Sequence, residues 1–383
     1  VKKILRIALI SASAVLLAGC GRLKDSNLAN NATTTSTSNN KKSYQTTSTS
    51  KNGYTVLLKN GQYVTSPTSG MTATDNDNSV DEDALERGLV KISKNKFSTG
   101  NYVFEEGQQI SAATMTDWLK RKSKSNPDGL NPVNNGKKAA DKRNPVMLEQ
   151  VLEQDYLTGS GSNYKLSGIS LGLAMNSVDY YQKTTDGPEY STTISREKQE
   201  AYGKEVAEKI ISRLRKKKNM KNIPIVVGLF SKTSKDSLVG GSYFSYGISE
   251  GNSSKITTWK NISEKTQVLP TVNNASPINS DDASAFNSFK TAIQNYFPNV
   301  SGVIATTRYE DGKLSQENIS ITTQFYGYMQ IQSFTRLVLA QAKKYLAKDV
   351  PIEIKIGSVN DTQAVIYKNS SDDNYNTHIY GGE

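Results

Sequence analysis

The chain has 383 residues, 36% of them hydrophobic and 22% charged, with a formal charge of +11. That balance excludes a disordered chain, and at roughly 150 residues per domain the length predicts about two domains. A single cysteine and a single histidine exclude a disulfide framework and multi-cysteine or multi-histidine metal sites, so no metal or cofactor is expected and His378 is the sole histidine for a catalytic triad.

Lys2, Lys3 and Arg6 precede an apolar stretch from Ile7 to Ala18. At about 12 residues the stretch is shorter than a bilayer span, which predicts a cleaved signal peptide over residues 1–19 rather than a transmembrane helix. It ends in Leu17-Ala18-Gly19-Cys20. Small side chains at Ala18 and Gly19 admit a peptidase, and the Cys20 thiol can take a diacylglyceryl group. This lipobox pattern places cleavage between Gly19 and Cys20. It predicts a diacylglyceryl transferase and a lipoprotein signal peptidase as partners. It also predicts a lipid anchor on the extracellular face of the membrane, through diacylglyceryl on Cys20. Two acyl chains, at about 0.8 kcal/mol per buried methylene, hold such an anchor stably. Residues 20–53 comprise the lipidated cysteine and a tether dominated by Ser, Thr and Asn. Such a composition buries too little surface to offset its ordering entropy and predicts a disordered spacer.

Residues 54–160 read as an N-terminal helical and hairpin segment. Tyr54 to Leu58 and Gly61 to Val64 form a hairpin pattern around Asn60-Gly61. Ser79-Val80-Asp81-Glu82 is a capping box. Ala84, Leu85, Leu89 and Ile92 give the following helix an apolar stripe to about Ser93. A second helix is predicted from Ser111 to Lys122, with Met115, Trp118 and Leu119 inward. Asn126 to Pro132 is turn-dense. Pro145 then opens a third helix-period stretch, with Met147, Leu148, Val151 and Leu152, ending near Leu157.

Beyond a glycine–serine hinge at Gly159 to Asn163, a β-β-α-β-β pattern occurs twice. Repeat 1 occupies residues 161–251, and repeat 2 with its connecting segment 252–383. The first copy starts at Lys165 to Met175, where Ile169, Leu171, Leu173 and Met175 alternate with Gly168, Ser170, Gly172 and Ala174. That is strand period with one bulky and one small face. A strand at Glu189 to Ile194, a helix from about Ser195 to Lys217, and strands at Ile223 to Phe230 and Tyr243 to Ile248 follow. The second copy starts at Asn299 to Ala305. It continues with a strand at Glu317 to Thr323, a helix from Gly327 to Leu346, and strands at Val350 to Ile356 and Gln363 to Tyr367. Pro224 and Pro351 open corresponding strands, where a missing N–H costs least. A short helix, Asp282 to Phe297, lies between the copies. The expected fold is α+β: the N-terminal helical and hairpin segment, then two related β-β-α-β-β repeats.

The motifs stand in a definite order. Lipobox and tether lead to Leu85-Glu86-Arg87-Gly88-Leu89 and to the segment from Phe97 to Gly107. Trp118 to Ser123, Asn126 to Pro132, Glu153 to Leu157 and the doubled Ser-Gly repeat follow. In this order the chain resembles the CamS-type sex-pheromone-precursor lipoproteins of Gram-positive bacteria. The resemblance implies that the released and trimmed signal peptide acts as a short apolar pheromone for conjugative plasmids. The matching stretch is Ser13-Ala14-Val15-Leu16-Leu17-Ala18-Gly19. The mature part is read as non-catalytic. The alternative is a surface module that binds a cell-wall polymer, a glycan or a peptide, with the released peptide incidental.

Several local patterns point to chemistry and are weaker. Gly168-Ile169-Ser170-Leu171-Gly172 matches the nucleophile-elbow pattern, but apolar alternation continues to Met175 instead of turning into a helix. Ser48, Ser93 and Ser162, each three residues before a lysine, match S-x-x-K by the abundance of both residues. Asp75, Asp77, Ser79, Asp81, Asp83 and Glu86 have calcium-loop spacing, but Val80 stands where a glycine is needed. Acidic residues at a helix start explain the run equally. Arg213, Arg215, Lys216, Lys217, Lys218 and Lys221 cluster at a helix end. They complement the helix dipole, or attract an anionic cell-wall polymer over about 8 Å at physiological salt. No nucleic-acid motif accompanies the charge. Twenty tyrosines stand against two tryptophans, with Tyr180, Tyr181, Tyr190, Tyr243, Tyr246, Tyr326 and Tyr328 near predicted strand ends. They cover sheet edges or form a stacking surface.

Overall fold

A computed structural model describes residues 44–47, 53–74, 79–296, 300–358, 361–370 and 374–381. The candidate leader, its Ser13–Gly19 stretch, Cys20 and most of the tether lie outside the described residues. In chain order the elements are β1 (Tyr44–Thr46), β2 (Thr55–Lys59), α1 (Ser79–Ser93), β3 (Val103–Glu106), α2 (Ala112–Leu119), β4 (Leu148–Ser160), β5 (Asn163–Met175), β6 (Val178–Gln182), β7 (Glu189–Thr193), α3 (Arg196–Leu214), β8 (Ile225–Ser231), β9 (Ser242–Ser249), β10 (Trp259–Asn261), β11 (Glu264–Leu269), α4 (Ser280–Tyr296), β12 (Val300–Glu310), β13 (Lys313–Thr323), α5 (Tyr328–Tyr345), β14 (Ile352–Gly357), β15 (Thr362–Lys368) and β16 (Asn376–Ile379).

The strands form two mixed sheets. One runs β1-β2-β3-β4-β5-β8-β9-β10, the other β11-β12-β13-β14-β15-β16, and β6 and β7 make a separate hairpin. The α+β class is therefore observed. Tyr44–Thr46, inside the expected tether, pairs antiparallel with β2.

The alternation in β5 decides how the first sheet is covered. Ile169, Leu171, Leu173 and Met175 enter a core with α2 and α3. The small face lets α1 come close on the other side, where Leu85, Leu89 and Ile92 join Phe97, Tyr156, Phe230 and Tyr243. A β-carbon on Gly168 would stand 2.1 Å from the Phe97 ring, so only glycine fits there. The second sheet buries one face only. Ile319, Ile321, Ile354, Ile356 and Ile366 pack under α4 and α5. Ser320, Glu353, Lys355, Tyr367 and His378 are exposed, the alternation of a sheet wet on one side.

The hairpin expected around Asn60-Gly61 closes only through a bridge between Lys59 and Gln62, and β2 pairs instead with β1 and β3. Two further expectations are corrected. Pro145 to Leu157 does not form a helix. Leu148–Ser160 is a strand, paired along its length with β5. Its apolar residues fit either period, and its buried carboxylates each serve a loop, while Gln150 and Gln154 bond to α1. Glu149 accepts from Thr74 N and Thr74 Oγ1, both at 2.8 Å, and from Asn176 Nδ2 at 2.8 Å. Glu153 accepts from Gln109 N and Ile110 N at 3.0 Å each. Asp155 accepts from Gln108 N at 3.1 Å and Gln109 Nε2 at 2.8 Å. With both faces covered, no polar face remains to mark the strand. Burial raises the pKa of all three carboxyls.

The second correction concerns the repeats. Lys165–Met175 and Asn299–Ala305 are not corresponding strands. Parallel pairing joins β5 to β8 and β13 to β14. Pro224 O accepts from Ile169 N, and Pro351 O from Glu317 N. β5 thus corresponds to β13, and β4, the antiparallel neighbour of β5, corresponds to β12, the antiparallel neighbour of β13. The expected second strand, Glu189 to Ile194, pairs with β6 outside the sheet. Its length and β-branched residues fit a strand wherever it pairs, so sequence alone misplaced it.

The turn-dense motif is structural. Buried Asn131 donates to Leu119 O at 2.7 Å and Leu148 O at 2.8 Å, and accepts from Met147 N and Leu148 N at 2.9 Å each. It ties α2 to β4 with every polar atom satisfied.

Candidate functional site

The basic cluster at the end of α3 divides into two groups. Arg215 donates to Met220 O and Ile223 O at 2.6 Å each, to Ser253 O at 3.1 Å, and to Ser249 O and Oγ at 3.2 and 3.1 Å. It staples the helix end to the loop after β9. Arg213 donates to Asp128 O at 2.8 Å and lies 5.3 Å from the Trp118 ring centroid. Lys217 donates to Gln109 O. Lys216, Lys218 and Lys221 are exposed. A polymer drawn to this end of α3 would meet these three.

The patterns suggestive of catalysis are not assembled. Ser170 is fully buried in mid-strand, its Oγ 2.6 Å from Ser93 Oγ. No strand-to-helix turn presents it. His378 lies exposed on β16, in the other sheet. Ser93 also bonds Leu89 O at 2.6 Å, so this S-x-x-K serine is a buried helix residue. In the calcium-like run, Asp75 and Asp77 lie outside the described residues, and Asp83 pairs with Arg87. Among the described residues no group of three or more His, Cys, Asp or Glu is placed to hold a metal ion.

The tyrosines serve separate purposes. Tyr243 is buried under α1 and donates to Leu85 O at 2.9 Å. Tyr181 and Tyr190 face each other across the β6–β7 hairpin, 5.8 Å between centroids, with Arg143 and Lys183 each 3.9 Å from a ring centroid. Tyr326 and Tyr328 are exposed before and at the start of α5.

A wide concavity lies where the two sheets meet. A cleft of about 830 Å³ opens beyond the carboxyl ends of the parallel strands β5 and β8, the position at which open α/β sheets bind ligands. The loop from Ser231 to Ser242 forms one wall, with Gly240-Gly241 in it. The first turns of α3 supply Arg196 and Glu200, and the crossing from β10 into β11 supplies Asn261 to Thr266. Ser242 Oγ donates to Glu264 O at 3.2 Å, and Ile262 N to Phe244 O at 2.9 Å, fixing that crossing against β9. The Arg196 guanidinium lies 4.2 Å from the Phe244 ring centroid. Lys232 is buried, and its charge lowers the pKa of the Glu149 carboxyl against the effect of burial.

The acidic groups of the cleft already have partners. Glu200 pairs with Lys204 at 2.6 Å and Glu264 with Lys91 at 3.1 Å. Lys91 also pairs with Glu310 at 2.5 Å, which links α1 to the second sheet. The cleft is therefore basic in effect. A smaller cavity of about 80 Å³ beside Glu82, Glu86 and Glu106 has room for only about two waters.

Sequence reasoning missed the cleft. Its residues are far apart in the chain, and the one local signal is a Ser/Gly-rich run directly after a buried strand.

Residues 63–374 match the family described as CamS sex pheromone cAM373 precursor. The chain is similar to the crystal structure of a sex pheromone precursor from Lactobacillus salivarius subsp. salivarius UCC118, at 41% identity and a TM-score of 0.84, covering 89% of this chain and 100% of that one. It is also similar to the C-terminal domain of the sex pheromone staph-cAM373 precursor from Staphylococcus aureus, at 30% identity and a TM-score of 0.68, covering 81% of this chain and 100% of that one. No curated protein matches. The family match spans most of the folded part, with all strands of both sheets except β1, β2 and β16, and the chain belongs to the CamS sex pheromone cAM373 precursor family.

Proposed function

We propose that the chain is a lipid-anchored surface precursor whose leader yields a short apolar signalling peptide. Family membership together with Leu17-Ala18-Gly19-Cys20 carries this reading. A diacylglyceryl transferase modifies the Cys20 thiol, and the lipoprotein signal peptidase cuts after Gly19. The lipid holds the mature chain at the outer face of the membrane. The freed leader is trimmed to Ser13–Gly19, which signals for plasmid conjugation. Among the described residues no helix is long and apolar enough to cross a membrane, so in this reading the acyl chains supply the anchor. Plasmid transfer measured with synthetic Ser13–Gly19 peptide tests the signalling step. A dose-dependent rise is expected, and no response at any dose contradicts it.

The mature fold is non-catalytic in this account and acts as a surface binding module. The basic cleft between the sheets favours that second role. Retention of the purified chain on cell walls, above a neutral control and weakened by salt, is the expected result. Retention no better than the control contradicts it.

A further inference from the structure

We propose that the cleft between the sheets binds a polyol-phosphate chain, a ligand with repeated phosphates separated by hydroxyl-bearing carbons. This deepens, and rests on, the reading of the mature fold as a binding module.

The charge pattern of the cleft carries the argument. Its two carboxylates, Glu200 and Glu264, are held by Lys204 and Lys91. Two of its cations, Arg196 and Lys265, are exposed, and among the described residues neither side chain forms a hydrogen bond or a salt bridge, although the charges of Glu200 and Glu197 act on Arg196. Arg196 is held by the Phe244 ring, which leaves the guanidinium edge for a ligand. A planar guanidinium donates two parallel hydrogen bonds to a phosphate.

The cations are also spread out. Arg196 comes from α3 and Lys265 from β11. A ligand with one carboxylate satisfies one of them, whereas a chain of phosphates satisfies both. Between the cations the walls carry hydroxyls, with Ser177, Ser231, Ser263 and Thr266 among them, beside apolar Val239, Ile262 and Ile278. Such mixed walls suit a polyol, whose hydroxyls alternate with carbon. The cleft is also distant from the exposed lysines Lys216, Lys218 and Lys221. These lie beyond the opposite end of α3, whose nineteen residues span about 28 Å, so the two basic regions can be tested separately.

The test is calorimetric titration of the purified full chain with short glycerol-phosphate oligomers. Three arms accompany it: neutral dextran oligomers, phosphatidylglycerol vesicles and retention on whole cell walls. The double variant Arg196→Ala, Lys265→Ala alters exposed side chains only. It is expected to weaken oligomer binding about tenfold or more, the scale of one lost charge pair. The triple variant Lys216→Ala, Lys218→Ala, Lys221→Ala is expected to change it by less than about twofold. The reverse pattern overturns the proposal, as does binding to dextran alone or to vesicles alone. Absence of oligomer binding overturns the ligand class. If cell-wall retention then persists, the binding-module reading stands without it.

Discussion

The ring of Tyr243 occupies the space that a side chain on Gly228 would need. A β-carbon there would stand 2.5 Å from Tyr243 Cε1. Gly88 of α1 and Gly172 of β5 make the same allowance, each with a β-carbon position 2.5 Å from a Tyr243 atom. Three glycines from a helix and two strands thus form one slot, closed by the bond from Tyr243 to Leu85 O. Gly228→Ala is expected to cost about 1–3 kcal/mol by overpacking. Urea unfolding should show a lower midpoint at unchanged slope. An unchanged midpoint would mean that the slot has slack.

Arg215 is a structural residue of the basic cluster. Its loss leaves the carbonyls of Met220 and Ile223 without this donor, while Ser253 O keeps its bond from Ser249 Oγ. Arg215→Ala is expected to destabilise by about 2–3 kcal/mol, as for hydrogen bonds to a charged group. Lys218→Ala should lie within about 0.5 kcal/mol of the parent, as an exposed substitution does. Equal stability of the two variants in thermal melts would refute the division of the cluster.

Asp179 anchors the β6–β7 hairpin. It pairs with Arg143 at 2.5 Å, the side chains being 1% and 9% exposed, and accepts from Val146 N at 3.0 Å. Asp179→Ala leaves a nearly buried guanidinium uncompensated, at an expected cost of about 3–5 kcal/mol. Arg143 also stacks on Tyr181, so hydrogen exchange across the hairpin should accelerate as well. Unaltered protection at residues 178–193 is the contrary result.

Glu317 couples stability to pH. Burial, and then the charge of Asp282, raise its pKa to about 7. The folded state therefore holds a proton that the unfolded state has released. As pH rises from the ordinary carboxyl range to about 7, this group withdraws stability on the order of 3 kcal/mol. Glu149, Glu153 and Asp155 are shifted in the same direction. The melting temperature should be lower at pH 8 than at pH 5. Glu317→Gln should raise it at pH 8 and flatten the profile. A profile identical to the parent's would show that Glu317 does not titrate in this window.

Local patterns were legible where one face of an element met water. The ranges of α1, α2, α3, α4 and α5 follow from apolar stripes and caps, and Ser111 and Ser195 cap as their positions suggest, each accepting from a backbone N–H three residues on. β4 was not legible, because Glu149, Glu153 and Asp155 are buried for the sake of distant loops. Period-2 reasoning takes polar residues to be outward, and here they point to loops 74 and 107–110. The correspondence of β5 with β13 was hidden because Ser-Gly recurs in strands of different position. The cleft depends on how β9, β11 and α3 converge, which no single segment records.

The central claim is that the leader is removed at a lipidated cysteine. Mass spectrometry of the N-terminal peptide of the chain extracted from cell membranes tests it directly. The account predicts a peptide beginning at Cys20 and carrying a diacylglyceryl group, with Ser13–Gly19 recovered from the medium. An unmodified Cys20 still joined to Gly19 in the membrane-extracted chain would contradict it.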